Sequence, residues 1–150
     1  MGARPFQTGG FRCDGPLEAG DVVYITAAAV TIVKGDALHD NGSGLVTNAV
    51  TAFAATFMGI AGADCASGGS CMVIRPNPKL AFWVPNASAT VAAATDVGES
   101  VDLENCDDID VTDTTLVEWG FRIVEIDIST AAVAANAGGY VKGYFEKQPQ

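Results

Sequence analysis

The sequence predicts an all-β fold, a small barrel or sandwich, and three observations carry that reading. Short runs of apolar and β-branched residues are separated by Gly, Pro, Asn and Ser. Two late segments alternate apolar and polar residues, as a half-buried strand does. No apolar stripe recurs at helical spacing. The chain has 150 residues, 49% hydrophobic and 17% charged, which suits one core-bearing domain and leaves no room for a second full one. With 17 glycines as well, the composition excludes a disordered polar tail, a coiled coil and a collagen-like repeat.

Residues 1–16 read as an extended N-terminal arm, and 17–150 as a single β domain. The arm has no helical or strand period and carries Arg4, Phe6, Phe11 and Arg12. Two phenylalanines in a segment too irregular to fold alone suggest that it gains order on a neighbouring subunit. No apolar run follows the first charge, so a secretory signal is not expected, and position 6 is not the Ser or Thr of a myristoylation motif. The expectation is a product made and used without export.

From Gly20 onward the elements follow in order. Asp21–Thr26, Val30–Val33 and Ala37–His39 are each about strand length. Asn41-Gly42-Ser43-Gly44 is the strongest turn signal, since Asn and Gly tolerate the positive φ of tight turns, and it is expected to join antiparallel strands. Residues 41–63 carry no charge but hold too much Asn, Gly, Ser and Thr to span a membrane. Phe57–Gly62 and Cys71–Arg75 flank Ala66-Ser67-Gly68-Gly69-Ser70 as a second hairpin. Pro76-Asn77-Pro78 blocks a helix, and Leu80–Val84 reads as a strand ended by Pro85-Asn86. Ala87–Thr95 and Ser129–Ala137 are Ala-rich but diluted by Thr and Val, and read as loops or single turns. Val124, Ile126 and Ile128 alternate with Glu125 and Asp127. Tyr140–Glu146 places Val141 and Phe145 on one face and Lys142, Tyr144 and Glu146 on the other, so the chain is expected to finish in a strand.

Charge and motif content exclude several functions. Eighteen acidic residues against eight basic ones give a formal charge of −10, the wrong sign for gripping phosphate backbones, so nucleic acid is not an expected partner. Four cysteines without a CxxC pair and a single histidine leave no usual zinc spacing. Cys65 and Cys71 bracket a hairpin loop, across which facing residues can meet disulfide geometry, but in a cytosolic product two reduced, semi-buried thiols are the expectation. His39 is the one imidazole available to a nucleophile, and it sits just before a turn where an exposed polar residue is expected on structural grounds. No nucleophile elbow, Walker loop or dinucleotide fingerprint occurs, so no cofactor is expected. Eight carboxylates crowd residues 96–113: Asp96, Glu99, Asp102, Glu104, Asp107, Asp108, Asp110 and Asp113. A cation site or a hydrolytic acid pair competes there with a solvated strand face that buries Val101 and Leu103, and the solvated face is favoured. Such crowding also leaves room for a basic partner surface. Phe82 and Trp83 are adjacent in a presumed strand and must face opposite ways, one toward the core and one as a surface anchor.

The order of Lys34–Leu38, Gly44–Thr47, Met58–Ala61, Ala66–Gly68 and Met72–Ile74, extended by Asp96–Leu103 and Phe121–Glu125, resembles that in the head-decoration, or capsid cement, proteins of tailed bacteriophages. It spans roughly residues 17–146, and no motif in the first 16 residues contributes. The resemblance implies a β-barrel or β-tulip-like body without enzymatic activity that binds the major capsid protein on the capsid exterior. It also implies self-association, as a homotrimer, and synthesis in the host cytoplasm. In that setting Arg4, Phe6, Phe11, Arg12 and Trp83 are the expected partner contacts. Two rivals are a virion-displayed carbohydrate- or receptor-binding module, which would present Trp83 and Trp119 together, and another tube or spike component.

Overall fold

The computed structural model describes residues 10–49, 52–87, 89–116 and 118–148. Arg4 and Phe6 lie outside them. The fold is all-β, with two antiparallel sheets packed around a shared core. In chain order the strands are β1 (Arg12–Asp14), β2 (Val22–Thr26), β3 (Ala37–Asp40), β4 (Val46–Thr47), β5 (Phe57–Ala61), β6 (Ser70–Ile74), β7 (Ala81–Pro85), β8 (Ser100–Asn105), β9 (Asp108–Asp110), β10 (Trp119–Asp127) and β11 (Tyr140–Lys147). One sheet runs β1-β7-β11-β10-β8-β9 and the other β2-β6-β5-β3-β4.

Both sheets curl until their ends touch. After β7 the chain reaches β9, where Asn86 bridges Ile109 and the Ala87 N–H donates to the Ile109 carbonyl at 2.8 Å. After β2 it reaches β4, where Ala27 bridges Val46 and the Ala28 N–H donates to the Val46 carbonyl at 2.8 Å. The sheets are tied to each other where Phe11 N–H meets Gly35 O (2.8 Å) and Ala37 N–H meets Cys106 O (2.7 Å).

The main core is aromatic. Six of the chain's seven phenylalanines, Phe11, Phe53, Phe57, Phe82, Phe121 and Phe145, are buried in it. Phe145 stands at its centre, with the other five ring centroids 5.0 to 5.4 Å away in tilted or edge-on contacts. A second, smaller cluster lies on the far face of the five-stranded sheet and includes Ile32, Leu38, Val46, Ala61, Cys65, Cys71 and Val73. Neighbours along β3, β5 and β6 therefore alternate between two apolar interiors: Ala37, Ile60 and Ile74 face one, and Leu38, Ala61 and Val73 the other. Gly59 has φ +139°, and a Cβ there would collide with the Ile74 carbonyl, so only glycine lets β5 approach β6 this closely.

The expectations for the Asn41–Gly44 turn, the second hairpin and the faces of the last strand are met. The Asn41–Gly44 turn joins β3 to β4, with Gly42 at φ 95° and Gly44 at φ 78°, and Asp40 Oδ1 accepts the Gly42 N–H at 2.7 Å. The Ser-Gly-Gly-Ser loop joins β5 to β6, and β11 presents Val141 and Phe145 inward as expected. Among the described residues, no helix is long and apolar enough to cross a membrane.

Others are corrected. The β body takes in part of the expected arm: Arg12–Asp14 pairs with β7, and Phe11 is 4% exposed. A terminal strand that finds a sheet edge and a ring that finds a core are both more stable than a solvated arm. Val30–Val33 is not a strand but a loop held by one bridge, Ile32 to Cys65. Thr130–Ala135 forms a short α-helix (α1), because the Ser129 hydroxyl caps it by accepting the Ala132 N–H at 3.3 Å. The alternation in β10 is broken by a β-bulge between Ile123 and Glu125, so Ile123 is buried while Val124 and Ile128 are exposed. Cys65 and Cys71 form a disulfide with a Cα separation of 5.5 Å, because the hairpin brings them directly into range. Cys13 and Cys106 are free.

Candidate binding face

The outward face of the six-stranded sheet gathers most of the side chains suited to partner contact. Register places them in rows across the strands. Arg12 of β1, Trp83 of β7, Lys142 of β11 and Glu125 of β10 are successive cross-strand neighbours. The next row is Asp14, Ala81, Tyr144, Arg122 and Ser100. Three of the eight basic residues of an otherwise acidic chain thus share one face with a Trp and a Tyr. Gly143, on the inner side of β11 between Lys142 and Tyr144, is required there because a Cβ would strike the Arg122 carbonyl and the Phe121 ring.

Specific contacts hold the side chains in place. Lys142 Nζ lies 2.8 Å from Asp14 Oδ2 and 6.0 Å from the centroid of the Trp83 ring. Arg122 donates through Nε to Glu146 Oε1 (2.8 Å) and through a terminal nitrogen to the Gly98 carbonyl (2.6 Å). Ser100 Oγ donates to the same Glu146 oxygen at 2.8 Å. The hydrogen bond from Arg122 holds the Glu146 carboxyl below its usual range, and the same contact raises the guanidinium. Trp, Tyr and Arg are the residue types that supply most binding energy where a protein surface contacts another macromolecule.

Of the expected contacts, Arg12 and Trp83 are brought together as direct cross-strand neighbours. Phe11 is corrected: its ring contacts Phe53, Phe82, Phe121 and Phe145 in the interior and is not presented to a partner. Phe82 is buried and Trp83 half-buried on the opposite face, as the strand alternation requires. Sequence reading missed Tyr144, Lys142 and Arg122 as members of the face. The alternation in β11 already put Lys142 and Tyr144 on one side, but only the β7–β11 register sets Lys142 beside Trp83. Trp119 takes the other side of the sheet, packing on Phe57 at 5.7 Å, so the two tryptophans do not form the shared platform a glycan would need.

Elsewhere, burial governs the shifted titratable groups. His39 is corrected from exposed to buried, at 1% exposure, because β3 lies between β4 and β5 and not at the surface of the turn. Its Nδ1 is 3.2 Å from Thr56 Oγ1, its Nε2 has no partner among the described residues, and burial lowers its pKa to about 4. It is neutral at pH 7. Burial, reinforced by Asp36 and Asp107, pushes the Cys106 thiol up to about 12, and burial raises Cys13 too, so neither is a ready nucleophile. Within the acidic segment Val101 and Leu103 are buried and Glu104 is exposed as expected, but Asp102 is buried. Its Oδ1 accepts the N–H groups of Phe53 (2.6 Å) and Leu103 (2.8 Å), which is why an ionisable group is kept there. Burial raises its pKa. Among the described residues, no group of three or more His, Cys, Asp or Glu is placed to hold a metal ion.

A cleft of about 210 Å³ beside β1 is lined by Phe11, Arg12, Cys13, Leu17, Lys34 and Ile74 among others. A second, of about 300 Å³, is lined by Asp14, Pro16, Glu18, Asp21, Asn77 and Lys79 among others, and the two lie at or below the small end of the range for clefts that enclose a cofactor or drug-sized ligand. Comparison with family models, curated proteins and solved structures finds no match.

Proposed function

We propose that this chain is a structural component of a virion, a decoration or cement protein that binds the outside of an assembled tailed-phage capsid and stabilises it without catalysis. The observation that carries the proposal is the braced face of Arg12, Trp83, Lys142, Tyr144 and Arg122 on a small all-β body. The family-like order of turns and strands in the sequence supports it. The partners are the major capsid protein and further copies of the chain, with the homotrimer as the proposed assembly. A protein that binds only the assembled lattice stabilises that lattice by mass action, and linked copies add avidity. Acidic residues over the rest of the surface keep crowded copies soluble.

The test is to locate the chain on the native particle by electron microscopy, then add the purified protein to particles stripped of it. The expected result is a regular outer layer that restores resistance of the shell to heat. Trp83→Ala with Tyr144→Ala is expected to lower occupancy at least tenfold, the loss typical of truncated aromatic hot spots. Particles that carry none of the chain, or a doubly truncated variant that decorates like the parent, would overturn the reading.

A further inference from the structure

The tip of the β3–β4 hairpin holds a chemically armed pair that partner binding does not use. Asn41 is the only asparagine of the chain followed by glycine, and residues 41–44 are all exposed. Gly42 has no side chain to shield its amide nitrogen from the carboxamide of Asn41, and nothing lies within 4 Å of the place a Cβ would take. No hydrogen bond among the described residues holds Asn41 Nδ2. By contrast, Asn48, Asn86 and Asn136 each tie Nδ2 to two acceptors.

Two sets of hydrogen bonds converge on this pair. Asp40 Oδ1 accepts the Gly42 N–H at 2.7 Å and the Gly44 N–H at 3.2 Å. Asn41 Oδ1 accepts the Ser43 N–H at 2.9 Å and the Leu45 N–H at 3.4 Å. The first set puts a carboxylate on the hydrogen of the Gly42 nitrogen. The second puts two donors on the oxygen of the neighbouring carboxamide. A base at the nucleophile and donors at the carbonyl oxygen are the two aids that acyl transfer needs. An amide N–H lies in the peptide plane, so its bond to Asp40 leaves the face of the nitrogen open to Cγ of Asn41.

We propose that Asn41-Gly42 is a site of self-modification, at which the chain deamidates through a succinimide with Asp40 carrying the proton. The Gly42 nitrogen attacks Cγ of Asn41 as its proton passes to Asp40 Oδ1, and the Ser43 and Leu45 N–H groups meet the negative charge that gathers on Asn41 Oδ1. Asp40 then returns the proton to Nδ2, the Cγ–Nδ2 bond breaks and ammonia leaves. Water opens the succinimide at either carbonyl and leaves aspartate or isoaspartate at position 41. Nothing is oxidised or reduced, water is the sole co-reactant, and the reaction runs once per chain. It adds a negative charge to the turn, and the isoaspartate form also adds a methylene to the main chain. The effect falls first on the two-residue β4, which pairs with β3 across this turn.

The test holds the full-length chain in warm buffer and samples it over days. Its mass is expected to rise by about 1 Da, with peptide mapping placing the gain at Asn41 and protein-isoaspartate methyltransferase labelling the same peptide. Asp40→Asn keeps an acceptor for the Gly42 and Gly44 N–H groups but cannot take the proton, and is expected to slow the reaction about tenfold or more. A base inside the chain stands in for hydroxide, so the parent rate is expected to rise less than about threefold from pH 6 to pH 8, against about tenfold per pH unit in Asp40→Asn. Asn41→Gln is expected to abolish the gain. Circular dichroism reports whether the variants are folded, and the parent's pH profile decides the matter without them. Three results would overturn the proposal: no gain at Asn41, equal rates in the parent and a folded Asp40→Asn, or a parent rate that tracks hydroxide. No shell is present in these measurements, so they are independent of whether the protein decorates one.

Discussion

Asp102 and Phe53, 49 residues apart in sequence, are joined by a buried hydrogen bond of 2.6 Å from the Phe53 N–H to Asp102 Oδ1. The bond anchors the segment that delivers the Phe53 ring to the aromatic core, and the same oxygen serves Leu103. Asp102→Ala leaves two buried N–H groups without an acceptor and is expected to cost about 2–4 kcal/mol, in line with the penalty per orphaned donor. Asp102→Asn, which keeps an acceptor, is expected to cost less than half as much. Urea unfolding midpoints at constant m-value check both.

His39 makes stability depend on pH. Its folded pKa, lowered to about 4, lies below the ordinary imidazole value, so the unfolded chain binds the extra proton first. The contribution is therefore fully present above the unfolded value and declines as pH falls through the window down to about 4, by on the order of 3 kcal/mol. Asp102 and Asp108 act in the opposite sense, since burial raises both and the folded state takes up their protons earlier on acidification. His39→Gln is expected to remove the loss between neutral and mildly acidic pH and expose the carboxylate effect alone. Unfolding free energies measured across that range for parent and variant decide it.

The disulfide fastens a flap. Around Cys65 and Cys71, the loops 27–32 and 65–69 exchange backbone hydrogen bonds: Ala27 to Gly69, Gly68 to Ala28, and a reciprocal pair between Ile32 and Cys65. Closing so short a loop is expected to stabilise the protein by about 2 kcal/mol. Reduction, or the pair Cys65→Ser and Cys71→Ser, is expected to lower the melting temperature and speed amide exchange at Ile32 and Gly68 first. Thiol titration of the denatured, unreduced chain is expected to find two free cysteines, and of the reduced chain four, the number in the sequence.

Phe11 belongs to the core and not to a partner. Phe11→Ala is expected to destabilise the isolated protein by about 3–5 kcal/mol, the cost of an emptied aromatic site. A surface anchor would leave the melting temperature of the free chain unchanged, so calorimetry of the purified variant separates the two roles.

Features legible in the sequence are those that chain neighbours decide. Asn41–Gly44 specifies its own turn, Cys71–Arg75 and Leu80–Val84 read directly as strands, and β11 displays its faces by simple alternation. Phe11, Asp102 and His39 depart from the sequence expectation for one shared reason. Each is placed by partners far along the chain, in the aromatic core, at Phe53 and between β4 and β5. The extra residue at Val124 is equally non-local, since a bulge exists only relative to the strand opposite. For the binding face, Trp83 stood out because it is rare and sits next to Phe82, whereas Arg122 and Tyr144 acquire meaning only through cross-strand register.

The five-stranded sheet is the common wall of two apolar interiors, and this governs how the molecule comes apart. Peeling it from the aromatic side uncovers Ile60 and Ile74, and shifting it by one residue drives Leu38, Ala61 and Val73 into the wrong chamber. Apart from opening of the flap that the disulfide fastens, losing the wall empties both chambers together, so heating is expected to show a single sharp transition for the β body.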